Sequence, residues 1–162
     1  MKGGEMMENM YLTDLQKKDI NSREEALTYL ADRLYTNGDV KGSFKEAIID
    51  RENHFATGLA LNQLGVAIPH TDNIHVNHSK IAVMTLQEPV EFYQMGSTTE
   101  TVSVSMIFML ALKDAHGHLD MLQKLMTFFQ DQEALKALLD LEDSDEGHTA
   151  AAQLLQEHQI II

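Results

Sequence analysis

Met106-Ile107-Phe108-Met109-Leu110-Ala111-Leu112 is apolar at all seven positions. A strand with one wet face alternates apolar and polar residues, so an unbroken apolar run predicts a central strand covered on both faces. Two shorter apolar stretches precede it, Val66 to Ile68 and Ile81 to Leu86. Gly58, Gly65, Pro69, Pro89 and Gly96 punctuate residues 55–112 as turns between strands do.

Helical patterns flank this block. Ser22 followed by Glu25 is a capping box, and Ala26, Leu27, Leu30, Ala31 and Leu34 recur at helical spacing until Asn37-Gly38, which predicts a helix over 22–37. A second helix fits 43–53, with Phe44, Ala47 and Ile48 on its apolar face and Arg51-Glu52 at its C-terminal end, the arginine turned outward. Beyond the apolar run, Leu119, Leu122, Leu125, Met126 and Phe129 repeat at helical spacing, and Ala134 to Leu139 and Ala150 to Leu155 add two shorter helical stretches. Helices, then strands, then helices predict an α/β fold: a single domain with a mixed, mostly parallel β-sheet and helices on both faces. Residues 1–10 are expected to be a disordered or vector-derived start, and 11–160 the domain; there is no internal repeat and no low-complexity segment.

Composition narrows the function. With 162 residues and 44% apolar content, the chain can bury a core without disulfides or a structural metal. It contains no cysteine, which excludes a disulfide framework, a thiolate zinc site and a cysteine nucleophile, and fits the cytoplasm. No apolar run approaches the roughly 20 residues that span a bilayer, so direct membrane insertion is not expected. The formal net charge of -13 repels phosphate backbones and argues against nucleic acid as a partner.

Among eight histidines, His70 has the most informative neighbours. Gly65-Val66-Ala67-Ile68 reads as a short buried strand that Pro69 ends, leaving His70 at the sheet's edge, where α/β proteins place reactive groups. Proline fixes the approach of the backbone and removes a competing donor. From spacing alone, the other reading is a histidine in a turn after a strand.

The run Asn62-Gln63-Leu64-Gly65-Val66-Ala67-Ile68-Pro69-His70 resembles the phosphorylation-site signature of mannitol- and fructose-type enzyme IIA of the sugar phosphotransferase systems. Arg51-Glu52, Thr57-Gly58, and Ala111-Leu112-Lys113-Asp114 leading to His118-Leu119 fall in the family's order, so the resemblance spans roughly residues 44–130. It implies a mannitol-type enzyme IIA fold and a phosphotransferase-system role in which His70 accepts phosphate from phospho-HPr. His70 would pass it to a IIB subunit and, through IIB, serve the membrane IIC subunit. It implies no cofactor and no metal.

His118 matches the second family histidine, with His116 as its rival, and Arg51 matches the family arginine. A neutral imidazole is a good nucleophile near pH 7, and phosphoryl transfer asks mainly for alignment and charge stabilisation. Arg51 offers a forked cation, His118 a donor and Thr57 a hydroxyl, with Glu52 and His116 as further phosphoryl-stabilising candidates. The chain has no G-x-x-x-x-G-K-[ST] loop, consistent with phosphate arriving from a protein.

The bland readings make Arg51 a cap of its helix, Thr57 an N-cap, and Glu52, His75, His78, His116 and His118 solvated residues. A metal site is an alternative, because His70, Asp72, His75 and His78 lie within nine residues. Another is a nitrogen-type regulatory IIA, which shares the Pro-His motif and acts by binding targets. In that branch, as in the mannitol and fructose branches, glycine usually follows the histidine. Thr71-Asp72, the stretch from Glu91-Phe92 to Met95-Gly96, and Ile107 to Ala111 with Lys113-Asp114 look closest to the galactitol-type branch.

Overall fold

The computed structural model describes residues 9–162. In chain order its elements are β1 (Tyr11–Lys17), α1 (Arg23–Thr36), α2 (Phe44–His54), β2 (Gly58–Ala60), β3 (Gly65–Ala67), β4 (Lys80–Tyr93), β5 (Thr101–Ala111), α3 (Gly117–Phe128), α4 (Gln132–Asp140) and α5 (Asp145–Glu157). The sheet order is β1-β4-β5-β3-β2. β1/β4 and β3/β5 pair in parallel, β2/β3 and β4/β5 antiparallel. The sheet is mixed, as expected, although parallel pairings are half of the set rather than most of it; β4 and β5 run antiparallel because they follow one another as a long hairpin.

β5 explains its own sequence. Met106, Phe108, Leu110 and Leu112 face the layer of α3, α4 and α5, while Ile107, Met109 and Ala111 face the layer of α1 and α2. Every residue of the apolar run is therefore buried, on alternating sides. Val102 and Val104 share a face with Ile107, so the alternation changes phase at Ser105, where the β3 register also shifts between Gly65 and Val66. Phe44, Phe92, Phe108 and Phe128 are fully buried, and each such side chain contributes about 1.5–3 kcal/mol relative to exposure.

Ser22 caps α1 as expected, its side chain accepting from the Glu25 N–H, while Glu25 Oε2 lies 3.4 Å from the Ser22 hydroxyl. β1 was not foreseen, and of the expected disordered start, residues 1–8 lie outside the described residues. The Met10 carbonyl already accepts from the Ile81 N–H.

One glycine has a steric duty that bears on the site. A Cβ on Gly65 would overlap the Ser103 carbonyl oxygen and stand 2.6 Å from Val102 Cγ1, so only glycine lets β3 lie this close to β5.

Candidate active site

His70 follows β3 by three residues and is held from below. The Pro69 carbonyl accepts from the Leu110 N–H at 2.9 Å, and His70 bridges to Leu110, so the chain tracks β5 past the end of its ladder. His70 Nδ1 lies 2.8 Å from the Ile68 carbonyl oxygen. A carbonyl only accepts, so Nδ1 carries the proton and Nε2 of the neutral ring keeps its lone pair. That is the nitrogen free to attack an electrophile.

Arg51, His70, Thr71, Asp72, Asn73, Ala115 and His118 line a cavity of about 200 Å³. The two helical layers each deliver one residue to it: Arg51 from the last turn of α2 and His118 from the first turn of α3. The His70 and His118 ring centroids are 5.4 Å apart with the planes tilted by 36°. The loops carrying the histidines are tied together by Asn73 Nδ2, which donates to the Lys113 carbonyl, and by Lys113 Nζ, which donates to that of Val76.

Among the described residues, two buried side-chain polar atoms lack a hydrogen-bond partner, Arg51 Nε and His118 Nε2, and both belong to this cavity. Orphaned buried donors and acceptors are rare in native proteins because each costs about 1–3 kcal/mol. Arg51 does not point away from the protein, as its helix position suggested. Its guanidinium lies over the Phe55 ring, 5.2 Å from the centroid, leaving the fork free to take a ligand.

The electrostatics favour neutral imidazoles. Burial pulls the His70 pKa below the usual histidine value, and Arg51 and His118 act in the same direction against the Ile68 hydrogen bond. His118 is lowered mainly by burial, with Arg51 adding to it and the Ala115 carbonyl, Asp72 and Asp114 opposing it. A location in the first turn of α3 also disfavours an imidazolium, since the helix N-terminus is the positive end of its dipole.

The other predicted residues lie elsewhere. His116 is exposed and its N–H bonds the Asp114 side chain, so the cavity receives His118 and not its rival. Thr57 and Glu52 do not line the cavity: Thr57 donates both its N–H and its hydroxyl to the two Glu52 oxygens, at 2.7 and 2.9 Å. Glu52 is not solvated but 2% exposed, and burial pushes its pKa up against those two bonds. No three His, Cys, Asp or Glu side chains among the described residues are placed to hold a metal ion.

Sequence reasoning missed Phe55, Thr71 and Asn73, and it misread Leu119. The apolar stripe of α3 gives Met121, Leu125 and Phe128 to the core, whereas Leu119 is 68% exposed beside His118. Periodicity alone does not separate a core leucine from one displayed at the rim of a site.

Residues 9–151 match the family described as phosphoenolpyruvate-dependent sugar phosphotransferase system, EIIA 2. The chain belongs to that family. It is 30% identical over 122 residues to the galactitol-specific EIIA component of Escherichia coli (strain K12), covering 75% of this chain and 81% of that one. The fold matches a putative phosphotransferase-system IIA domain from Streptococcus pyogenes with a TM-score of 0.71 at 20% identity, over 99% of this chain and 97% of that one. It also matches the Escherichia coli complex of mannitol enzyme IIA with phosphorylated mannitol enzyme IIB, with a TM-score of 0.69 at 19% identity over 90% and 94% of the chains. No helix among the described residues is long and apolar enough to cross a membrane.

Proposed function

We propose that this EIIA-family chain is a cytoplasmic phosphocarrier. It takes a phosphoryl group from phospho-HPr on His70 Nε2 and passes it to a IIB subunit, serving uptake of a hexitol such as galactitol. The observation that carries this reading is the pair of orphaned groups, Arg51 Nε and His118 Nε2, beside a histidine whose other nitrogen is already bonded. In the first step the P–N bond of the donor phosphohistidine breaks as a P–N bond to His70 Nε2 forms. The proton stays on His70 Nδ1, donated in a hydrogen bond to the Ile68 carbonyl oxygen. Arg51 stabilises the equatorial phosphoryl oxygens, and His118 donates to them when protonated on Nε2.

Three exposed apolar side chains, Phe55, Ile74 and Leu119, each contact or adjoin a cavity-lining residue in the chain. They suit the modest, transient interface that a carrier meeting two partners in turn requires. The sugar class rests on the galactitol-specific relative, and the IIB partner on the mannitol complex whose IIA shares this fold.

The test is intact mass after incubation with phosphoenolpyruvate, enzyme I and HPr. A gain of about 80 Da, acid-labile and absent in His70→Ala, supports the reading. No gain with a demonstrably active HPr refutes it.

A further inference from the structure

Glu52 is a buried carboxylate without a role in the phosphoryl chemistry, and Thr57 is a buried threonine that does not reach the cavity. Their hydrogen bonds run in one direction. Thr57 gives its hydroxyl proton to Glu52 Oε1, which leaves the oxygen's lone pairs for a donor, and that donor is the Ile68 N–H at 3.2 Å. Ile68 is the residue whose carbonyl accepts from His70 Nδ1.

The topology explains why such a device is needed. β3 ends at Ala67, and Pro69 has no N–H to extend a ladder. In the β2/β3 register, where Gly58 opposes Ala67, the next opposed pair is Thr57 and Ile68. The Thr57 hydroxyl thus fixes the β2 side of the chain just past the last ladder pair. On the β5 side the Pro69 carbonyl is fixed by the Leu110 N–H. The Ile68–Pro69 peptide is clamped at both flanks, and its carbonyl is held under the imidazole.

The clamp matters because a free neutral imidazole prefers its proton on Nε2, which would block the nitrogen that the phosphocarrier reading makes the nucleophile. The Ile68 carbonyl must overcome that preference, and it does so only while aligned with Nδ1. Glu52 matters because a carboxylate only accepts. With both oxygens on Thr57, the hydroxyl has a single orientation, lone pair toward Ile68.

We propose that Thr57 and Glu52 form a positioning pair that keeps His70 in its Nδ1-protonated, Nε2-nucleophilic tautomer. This deepens the phosphocarrier reading and rests on it for its catalytic consequence. Neither residue touches the phosphoryl group; they act through the Ile68 backbone.

The experiment records imidazole nitrogen signals of His70 in the full-length, unphosphorylated protein at a pH where the ring is neutral, assigned by comparison with His70→Ala. Wild type is expected to show Nδ1–H. Thr57→Val, which keeps the shape and loses the hydroxyl, is expected to admit the Nε2–H form. It should also lower kcat for phosphoryl uptake from phospho-HPr about tenfold or more, with KM little changed. Thr57→Ser should restore both readouts. Glu52→Gln, which loses one acceptor at similar volume, should move them in the same direction, and it serves as the test if Thr57→Val does not fold. A folded variant with the wild-type tautomer, or with wild-type kcat, overturns the proposal, as does wild-type His70 found with its proton on Nε2. Because the tautomer is read without any phosphate donor, wild-type protein that shows Nδ1–H yet accepts no phosphoryl group refutes the phosphocarrier reading alone.

Discussion

The His70 and His118 rings stand 5.4 Å apart across a cavity in which His118 Nε2, although buried, bonds nothing. In the phosphocarrier reading, the phosphoryl group would sit between these two imidazoles and the Arg51 guanidinium.

Arg51→Ala and His118→Ala should each slow phosphoryl uptake by about 10²–10³ while leaving the fold intact, the usual effect of removing one donor from a developing charge. Arg51→Lys should not restore the rate, because an ammonium has neither the planar fork nor the Nε–H that lies orphaned here. Single-turnover transfer from phospho-HPr measures this, and wild-type rates would remove both residues from the mechanism.

Transfer should persist at lower pH than an ordinary histidine permits. Burial first, then Arg51, holds His70 below its usual value, so the nucleophilic neutral form survives below about pH 6.5. Arg51→Ala should move the midpoint up, as seen in an NMR titration of the ring. The sign for stability follows: the unfolded chain binds the proton first, so this contribution is present above the unfolded pKa and lost as pH falls below it.

A second histidine carries the opposite sign. His158 Nδ1 bonds the Leu154 carbonyl and Nε2 bonds Asp131, so two acceptors face the ring and the protonated form satisfies both. The hydrogen bond with Asp131 raises the His158 pKa, and its counterpart lowers that of Asp131. The His158 contribution is present below its unfolded pKa and lost as pH rises through the raised folded value. The Asp131 contribution is lost only as pH falls through its depressed one. Asp131→Asn should therefore lower the melting temperature at pH 6 and have a much smaller effect at pH 9; equal losses at both would show that the ion pair is not the cause.

Gly65→Ala should destabilise the protein by about 1–3 kcal/mol, the typical cost of overpacking, or more, because the obstruction is the Ser103 backbone. Displacement of β3 should also reduce labelling of His70. Urea unfolding with the mass assay reads both effects, and an unchanged midpoint would mean that β3 shifts freely.

Leu119→Asp should raise KM for phospho-HPr severalfold without lowering the melting temperature, since the side chain is exposed and contributes little to the core. A drop in stability with unchanged KM would assign Leu119 to packing instead.

The elements with local signals were legible. The capping box marked α1, and the seven-residue apolar run marked β5. β1 escaped because it is an edge strand with two buried positions, Tyr11 and Leu15, spaced four apart as on a helix. Asp14 further disguises it, a charged residue kept partly buried by Tyr29 and Arg33. At the candidate site, the family pattern names Arg51, His70 and His118 in order, and the structure brings the three to one cavity. The bond from the Ile68 N–H to Thr57 depends on a register between β2 and β3, which no local pattern encodes. Residue chemistry suggested a phosphate donor where tertiary structure uses the same hydroxyl as a backbone clamp.

Arg51 comes from the helical layer on one face of the sheet and His118 from the layer on the other. A chain without the α1–α2 layer would lack the Arg51 guanidinium and one without the α3–α5 layer would lack His118, so neither half-docked form holds the complete set. In the phosphocarrier reading, carrying phosphate at full rate therefore requires both helical layers to be docked on the sheet.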